Sequence, residues 1–491
     1  MNVRPHTQPI ALSAVASALG SHYFGDDVLV TGITHDSRSV QPGDLYVAIP
    51  GFARHGIEFI EEAISRGAVA IASDAYGVEQ ASLKVPSLVM NSPRIDMAFA
   101  SAEIYGHPER GMKLIGVTGT NGKTTITHMA RSILMDAGHS VGLIGTVGTF
   151  INDVAVPTVR TTPESPELFA LLAVMRERGV EIVAMEVSSH ALVLGRVAGI
   201  TFDVALFTNL SQDHLDFHET MDAYFAAKST LFADSTARQA IICTDDQWGS
   251  RLFAETVVPR TSIGTHGETR VTDIELTDSG TEFAISEPGG TVLKCFVPLL
   301  GAFNAINAAM TLSCVELLGV PRDTAIAHLA RVRQIPGRFE LVNVPNGSRV
   351  VIDYAHTPDA VDKVLDVIRE TTPNRIVTVI GCGGDRDAAK RPLMGAVAAR
   401  HSDVVIITDD NPRSESPETI RRAILDGIKD SLCEVVEIGD RAEAIRYALS
   451  LTQMNDAVAV LGKGHEMGQE RNGVVSPFSD LEEVQSVIAH V

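Results

Sequence analysis

A glycine-rich turn between an apolar run and an amphipathic helix constrains the fold of this chain most. Residues 116–125 read Gly-Val-Thr-Gly-Thr-Asn-Gly-Lys-Thr-Thr, which contains the glycine-lysine-threonine ending of a phosphate loop. Apolar side chains then recur at helical spacing from Ile126 to Ala137. In a strand–turn–helix unit of this kind, backbone N–H groups surround phosphate oxygens, the lysine adds positive charge, and the threonine hydroxyl can bind Mg²⁺. The sequence therefore predicts that a nucleotide phosphate binds here.

Chain length, composition and net charge indicate a globular protein of several domains. A chain of 491 residues predicts about three domains of ordinary size. Hydrophobic residues make up 45% of the chain and charged residues 21%, which is typical of a globular protein with a sizeable core. The net charge of −21 argues against general nucleic-acid binding and against binding to an anionic membrane surface.

Cysteine usage and the N-terminal segment indicate a cytoplasmic protein. The five cysteines are odd in number and form no Cys-x-x-Cys pair, so a reducing compartment is expected, without a zinc site or a disulfide framework. No apolar run is long enough to span a bilayer. Leu12, Val15, Ala16 and Leu19 have helical spacing, which favours an N-terminal helix over a secretion signal. We also expect a monomer.

The chain divides into three blocks, at 1–108, 109–337 and 338–491. The first carries short strand-like runs such as Leu45–Ile49, separated by Pro-Gly turn signals. The second begins with the phosphate loop and alternates apolar strands with helices. The third opens near Pro336-Gly337, a candidate hinge. The expected fold is α/β with three domains: a small mixed N-terminal domain, a central phosphate-loop domain with a parallel sheet, and a C-terminal Rossmann-like domain with a parallel sheet.

The third block shows four apolar strands that each end in a polar cluster. Continuous apolar strands separated by helices indicate a buried parallel sheet, and ligands bind beyond the carboxyl ends of such strands. A single cluster would be an ordinary turn, but four that carry charge or imidazole favour one shared site. The clusters begin at Asp353, Gly381, Thr408 and Gly462.

Two strands of the central block also end in candidate ligands. Glu186 follows the apolar run 182–185, and a carboxylate at a strand end beside a phosphate loop is well placed to hold Mg²⁺. The run 204–207 leads to His214 and His218, either of which could be a ligand or, more ordinarily, an interface or capping histidine. Lys228 reads as a plain lysine on a helix surface.

Asn304 and Asn307 lie three residues apart on one predicted helix face. Asparagine is a poor helix former, so the pair suggests polar contacts at a domain interface or with a nucleotide. Capping of the helix by Asn304 is an equally good interpretation of the spacing.

Together these motifs resemble the Mur ligases, the ATP-dependent amide-forming enzymes of peptidoglycan precursor synthesis. The resemblance covers nearly the whole chain and includes an Asp-Asn-Pro-Arg motif similar to that of the members that add meso-2,6-diaminopimelate rather than L-lysine. It rests on the segments 119–125, 186–190, 208–216, 304–307, 337–338, 353–358, 410–413 and 462–466.

The resemblance implies a role for each matching residue. Catalysis would involve Lys123, Glu186, His214, Lys228 and His356. ATP would bind Gly119, Thr120, Asn121, Gly122, Lys123, Thr124, Thr125, Asn304, Arg338 and Asp353. Mg²⁺ would bind Thr124, Glu186, His214 and a carbamylated Lys228. The UDP-N-acetylmuramoyl-dipeptide would contact His35, Ser37, Thr161, Thr162, Ser188 and Arg196. Diaminopimelate would contact Arg386, Asp410, Asn411, Pro412, Arg413, Gly462 and Glu466.

The diaminopimelate assignment makes physical sense. This substrate carries a distal carboxylate that Arg413 and Arg386 can clamp, and a distal ammonium that Glu466 and Asp410 can accept. L-lysine lacks the distal carboxylate, so a buried arginine would lose its partner at a cost of roughly 2–5 kcal/mol. That free-energy difference is large enough for strong discrimination between diaminopimelate and L-lysine.

The implied reaction is ATP-driven amide formation through an acyl phosphate, with His356 as a candidate helper for deprotonating the amine. Folylpolyglutamate synthetases share the core, but the first block and residues 410–413 argue against them. Outside this class, the chain could be a phosphate-loop phosphotransferase or a nucleotide-gated binding module. A phosphotransferase would consume ATP with an acceptor hydroxyl, and a binding module would need no amine. Phosphate release that depends on an amino acid would therefore distinguish a ligase from both.

Overall fold

The computed structural model describes residues 4–51, 54–81, 85–429 and 431–489. Three largely parallel sheets, one in each consecutive part of the chain, are flanked by helices and form an N-terminal, a middle and a C-terminal domain. The predicted α/β class is therefore confirmed. Among the helices of the described residues, none is both long enough and apolar enough to cross a membrane.

The N-terminal domain is built on a five-stranded sheet with the order β2-β7-β6-β5-β4. Strands β4 to β7 are parallel, and β2 pairs antiparallel with β7 at the edge. The predicted N-terminal helix is present as α1, with Leu12 and Val15 fully buried. The elements are β1 (Ile10–Ala11), α1 (Leu12–Ala18), β2 (Tyr23–Phe24), β3 (Leu29–Val30), β4 (Gly32–Thr34), β5 (Asp44–Ala48), α2 (Ile60–Ser65), β6 (Ala70–Ser73), α3 (Ala75–Ala81), β7 (Ser87–Val89) and α4 (Pro93–Ile104).

The middle domain contains an eleven-stranded sheet with the order β11-β10-β9-β12-β8-β13-β14-β15-β16-β17-β18. Its elements are β8 (Lys113–Thr118), α5 (Lys123–Asp136), β9 (Val141–Ile144), β10 (Thr149–Ile151), β11 (Val154–Val156), α6 (Ser165–Glu177), β12 (Ile182–Glu186), α7 (Ser189–Val193), β13 (Val204–Phe207), α8 (Leu215–His218), α9 (Met221–Ser229), β14 (Ala240–Cys243), α10 (Gln247–Glu255), β15 (Arg260–Gly264), β16 (Thr269–Thr277), β17 (Gly280–Ser286), β18 (Val292–Val297), α11 (Ala302–Leu317) and α12 (Arg322–Leu329).

The central strands of this sheet are parallel, as predicted, but the strands at both ends are antiparallel. Strands β10 and β11 at one end, and β17 and β18 at the other, pair antiparallel with their neighbours. Helix α5 follows the phosphate loop as expected, and its apolar positions Ile126, Met129 and Ile133 are fully buried. Because this helix packs on the parallel strands, its N-terminus is fixed at the carboxyl edge of the sheet.

The C-terminal domain has a six-stranded sheet with the order β19-β20-β24-β21-β22-β23. All its pairings are parallel except β19 with β20. The elements are β19 (Glu340–Asn343), β20 (Arg349–Asp353), α13 (Pro358–Thr371), β21 (Ile376–Ile380), α14 (Lys390–His401), β22 (Val404–Ile407), α15 (Pro417–Asp426), β23 (Glu434–Glu437), α16 (Arg441–Ser450), β24 (Ala457–Leu461), β25 (Gly468–Arg471), β26 (Val474–Pro477) and α17 (Asp480–Ile488).

The four apolar runs predicted in this domain are the adjacent strands β20, β24, β21 and β22, all with buried residues. Their carboxyl ends meet at one edge, so the four polar clusters face a common region, as expected. The edges of the middle and C-terminal sheets therefore supply the two sides of the candidate site.

Candidate active site

The phosphate loop packs against the segment that follows β13 and against helix α11. Gly119 has φ +144° and Gly122 has φ +89°, and a Cβ at these positions would meet Thr208 and Asn307 respectively. The Thr120 amide donates to Asn209 O at 2.9 Å. Glycine at both positions thus permits the left-handed backbone and the close approach of neighbouring chain.

Lys123 is folded back over this loop. Its Nζ donates to Gly119 O at 2.9 Å and to Thr120 O at 2.8 Å. Burial lowers the pKa of Lys123, and the nearby Glu186 carboxylate opposes that shift. A cation whose partners are two carbonyl oxygens can turn toward a phosphate without breaking an ion pair, which suits the role implied for it.

Glu186, at the end of β12, faces the first turn of α5. Thr124 Oγ1 donates to Glu186 Oε1 at 2.9 Å, and the amide and hydroxyl of Thr146 donate to the two carboxylate oxygens at 2.8 and 2.9 Å. Arg338 NH2 donates to Thr124 Oγ1 at 3.0 Å. An arginine just past the Pro336-Gly337 turn therefore touches the phosphate-loop helix, while the hinge itself stays a prediction.

Mg²⁺ fits part of the predicted ligand set. The Thr124 hydroxyl and the buried Glu186 carboxylate are oxygen donors within 2.9 Å of each other, and oxygen is what this cation prefers. The Nε2 of His214 lies 3.3 Å from Asp213 Oδ2, and the role of His214 as a metal ligand stays a prediction. Burial lowers the pKa of His214 to about 3, so its ring is neutral. In the described residues, three or more metal-capable side chains converge only at Asp362, Asp366 and His401.

Lys228 is not a surface lysine, which corrects the interpretation of the sequence. It is 1% exposed on α9, its Nζ donates to Gly119 O at 2.9 Å, and it lies 4.6 Å from the centre of the Tyr224 ring. No carboxylate pairs with it among the described residues, and burial, with Lys123 nearby, lowers its pKa well below the usual value. The helical pattern could not reveal this, because the burial comes from packing against the phosphate loop.

Asp213 joins the middle and C-terminal domains. This buried carboxylate lies 3.1 Å from Lys390 Nζ and 3.5 Å from His356 Nε2, both in the C-terminal domain. Burial alone would raise the pKa of Asp213, but His356, with His214 and Lys390, holds it well below its ordinary value. His356 Nδ1 also donates to Tyr354 O at 2.8 Å. His356 therefore contacts Tyr354 of its own domain through one ring nitrogen and faces Asp213 of the middle domain with the other.

One cavity of about 310 Å³ lies between these domains. Its walls combine the phosphate loop and its metal-capable neighbours with polar clusters of the C-terminal sheet. Of the residues singled out in the sequence, it is lined by Thr120, Asn121, Gly122, Lys123, Thr124, Thr125, Thr161, Glu186, Ser188, His214, Arg338, His356, Arg386, Asp410, Asn411, Arg413, Gly462 and Glu466.

A second cavity of about 510 Å³ also adjoins the phosphate loop. Asn304 and Asn307 both line it, with Asp353 and the rings of Phe303 and Phe339. Asn304 does not cap its helix; its Nδ2 donates to Leu300 O at 2.8 Å, and Gly301 is the capping residue. An apolar cavity with a few amide groups beside a phosphate loop suits a nucleoside.

The residues implied for the UDP-dipeptide are spread over two domains. Thr161 and Ser188 line the first cavity, whereas Thr162 is buried and donates to Glu186 O at 2.8 Å. Ser37 donates to Glu62, and His35 lies 3.9 Å from Glu167.

Arg196 lies 2.7 Å from Glu164, a carboxylate that also faces Arg94 of the N-terminal domain. That ion-pair network connects the two domains.

The polar residues implied for diaminopimelate form a connected group. Asn411 Nδ2 donates to Glu466 Oε2 at 2.8 Å, and the buried Lys463 donates to the same carboxylate oxygen at 2.8 Å. Arg413 NH1 donates to Gly384 O at 2.6 Å, while the exposed Arg386 donates to the carbonyl of Asp385. Residues from the polar clusters after all four strands line the first cavity, so the clusters converge as the sequence predicted.

Sequence reasoning missed Asp213, Lys390 and Thr146. Asp213 stands in the polar run after β13, but its partners lie more than a hundred residues further on. Nothing in the sequence around Lys390 marks it as a site residue beyond its position at a helix start. Thr146 follows a glycine that belongs to none of the motifs described above. Only the three-dimensional arrangement shows that these side chains belong to the site.

Comparisons with known proteins agree with this arrangement. Three family models match: "Mur ligase family, catalytic domain" at residues 29–104, "Mur ligase middle domain" at 117–315, and "Mur ligase, glutamate ligase domain" at 337–464.

Relatives match over nearly the full chain. A UDP-N-acetylmuramoyl-L-alanyl-D-glutamate--2,6-diaminopimelate ligase of Corynebacterium glutamicum is 45% identical, covering 97% of this chain and 95% of the relative. The enzyme of the same name from Streptomyces coelicolor is 42% identical, covering 98% of each. A solved structure with that name aligns with a TM-score of 0.68 at 30% identity, covering 98% of this chain and 99% of that one. With identity and coverage at these levels, the chain belongs to the Mur ligase family.

Proposed function

We propose that this protein is an ATP-dependent ligase that joins meso-2,6-diaminopimelate to the D-glutamate of UDP-N-acetylmuramoyl-L-alanyl-D-glutamate in cytoplasmic peptidoglycan precursor synthesis. The observation that carries the proposal is the shared cavity, in which the phosphate loop faces Asp410, Asn411 and Arg413. The similarity to relatives that bear this enzyme name supports it.

Each domain has a proposed task. Residues 1–108 and the adjoining part of the middle domain bind the UDP-sugar-peptide, residues 109–337 bind ATP, and residues 338–491 bind diaminopimelate. The ATP base occupies the second cavity beside Asn304 and Asn307, and its phosphates reach the loop 119–125. The γ-phosphate then lies in the first cavity, where the other two substrates meet.

The first chemical step is phosphoryl transfer. An oxygen of the D-glutamyl γ-carboxylate attacks the γ-phosphorus of ATP, the bond to the β-phosphate oxygen breaks, and the products are an acyl phosphate and ADP. Lys123 swings from its carbonyl partners to the phosphates, and Arg338 beside Thr124 adds a second positive charge. Both cations oppose the negative charge that accumulates in the transition state.

Magnesium would be held by Thr124 and Glu186 near the transferred phosphate. When bound, it neutralises phosphate charge and fixes the orientation of the phosphoryl group. We propose that Lys228 is carbamylated: its neutral amine adds to CO₂, releases a proton, and becomes a carbamate with carboxylate-like oxygens. The burial of Lys228, for which the described residues provide no paired carboxylate, supports this, because a neutral amine is the form that reacts.

The second step forms the amide. The amine of diaminopimelate attacks the acyl carbon, its nitrogen gives up a proton to the departing phosphate, and the C–O bond to phosphate breaks as the tetrahedral intermediate collapses. Nδ1 of His356 is bonded to Tyr354 O and Nε2 faces the Asp213 carboxylate at 3.5 Å, so both ring nitrogens are already engaged and neither is directed to take the amine proton. We propose that it instead positions the closed domains through Asp213. Closure also excludes water, which would otherwise hydrolyse the acyl phosphate.

A product assay tests the proposal. ATP, Mg²⁺ and the UDP-dipeptide are combined with diaminopimelate in one reaction and L-lysine in a matched one. Formation of UDP-tripeptide and phosphate in equal amounts, with diaminopimelate strongly preferred, is the expected result. Preference for L-lysine would reject the acceptor assignment, and ATP hydrolysis without amide formation would reject the ligase assignment.

A further inference from the structure

The hairpin β25–β26 is attached to the loop proposed to bind diaminopimelate. The hairpin leaves Met467, Val474 and Val475 each 65% exposed, so apolar packing holds it only weakly. Four hydrogen bonds attach the hairpin to the loop instead. The hairpin donates three of them: Gln469 Nε2 to Asp410 O at 2.7 Å, Glu470 N to Asn411 Oδ1 at 2.9 Å, and Asn472 N to Arg413 O at 2.7 Å. The loop donates the fourth, from Arg413 N to Glu470 O at 3.0 Å.

The guanidinium of Arg413 is fixed on two sides. NH1 donates to Gly384 O at 2.6 Å, and Nε lies 3.4 Å from the carboxylate oxygen Oε2 of Glu470. A Cβ at Gly383 would come within 2.9 Å of NH1, so glycine leaves room for the guanidinium. Within the described part of the chain, NH2 has no hydrogen-bond or ion-pair partner, and Arg413 lines the cavity.

This arrangement leaves one edge of the guanidinium for a ligand. A carboxylate binds arginine best through two parallel N–H···O bonds, which requires the plane of the fork to be oriented beforehand. Arg413 itself has φ +53°, an uncommon conformation for arginine. The backbone and the Glu470 side chain together therefore set the direction of the fork.

We propose that Glu470 is a specificity-determining positioning residue: it pins Nε of Arg413 so that the opposite edge of the guanidinium receives the distal carboxylate of the amino-acid substrate. This inference rests on the proposed function, because it assumes an acceptor with two carboxylates. Glu470 acts through Arg413 and does not contact the substrate.

The test uses Glu470→Gln, which keeps the backbone bonds of residue 470 and removes only the carboxylate charge. Three amines are compared as substrates or, where turnover is absent, as competitive inhibitors: meso-diaminopimelate, 2-aminopimelate and L-lysine. 2-Aminopimelate keeps the distal carboxylate but lacks the distal ammonium. We expect KM or Ki to rise roughly two- to fivefold for both dicarboxylates, the range of a half-exposed ion pair.

The same variant should leave kcat, the KM values for ATP and UDP-dipeptide, and the constant for L-lysine unchanged. Glu470→Asp should restore part of the affinity, and Glu434→Gln, at the exposed sheet edge, is the matched control. An unchanged constant for the dicarboxylates would overturn the proposal. So would a larger loss for diaminopimelate than for 2-aminopimelate, which would mean direct contact with the ammonium. If the proposed function is wrong, the unmodified protein will show no diaminopimelate-dependent reaction at all.

Discussion

Replacement of Asp213 by asparagine tests the network that joins the middle and C-terminal domains. Asp213 is 4% exposed and lies 3.1 Å from Lys390 Nζ and 3.5 Å from His356 Nε2. Asparagine preserves the shape of the side chain but removes its charge. Lys390 and His356 would then be brought together on closure with no opposing carboxylate.

The size of the effect follows from this burial. Breaking a buried charge pair by removing one partner costs about 3–5 kcal/mol. Opening of the domains can rehydrate Lys390 and recover part of that cost, so we expect about 2–4 kcal/mol to remain against the closed state. At 1.36 kcal/mol for each factor of ten, kcat/KM should fall roughly 30- to 1000-fold.

A double-mutant cycle provides the assay. Steady-state kcat/KM for diaminopimelate is measured for Asp213→Asn, Lys390→Met and the double variant. Because each single change removes the same ion pair, the double variant should lose much less than the sum of the two single losses. Additive losses, or near-normal activity of Asp213→Asn, would refute the proposed link between the domains.

Three further changes test separate parts of the site. Lys123→Ala should lower kcat by about 10²–10³-fold, the cost of losing a charge that stabilises the transition state, with an unchanged circular-dichroism spectrum; near-normal turnover would contradict its role. Lys228→Ala should lose activity and regain part of it with added short carboxylates, whereas a fully active variant would remove carbamylation from the mechanism. Partial desolvation, together with the nearby Glu164 carboxylate, raises the pKa of the half-exposed Glu167 from 4.5 to about 7, so its contribution to stability is complete below pH 4.5 and is lost as the pH rises through 7. Glu167→Gln should therefore flatten the pH dependence of Tm in this window, and an unchanged profile would contradict the assigned pKa.

The sequence predicted the elements whose stability is mostly local or periodic. The helix α5 followed from the spacing of Ile126, Met129 and Ile133, and the strands β20, β21, β22 and β24 followed from continuous apolar runs. The antiparallel strands β17 and β18 were not foreseen, because their pairing partners are set by tertiary packing and not by their own pattern.

Within the candidate site, the sequence allowed us to predict the residues that belong to short motifs. It did not allow us to predict residues whose surroundings are formed by distant segments of the chain. Lys228 reads as an exposed helical lysine until Gly119 and Tyr224 cover it. Asp213 has no recognisable partner until the C-terminal domain brings Lys390 beside it. Such contacts carry no periodic or spacing signal in the chain.

The central claim is that the γ-phosphate of ATP passes to a substrate carboxylate in the cavity between the middle and C-terminal domains. Isotope transfer tests it directly. The UDP-dipeptide is prepared with ¹⁸O in the D-glutamyl γ-carboxylate, and the phosphate released during ligation is examined by mass spectrometry. An acyl-phosphate route predicts one ¹⁸O atom in each phosphate, because the attacking oxygen leaves with phosphorus. Phosphate without ¹⁸O would show that the carboxylate never attacks the γ-phosphorus and would contradict the account.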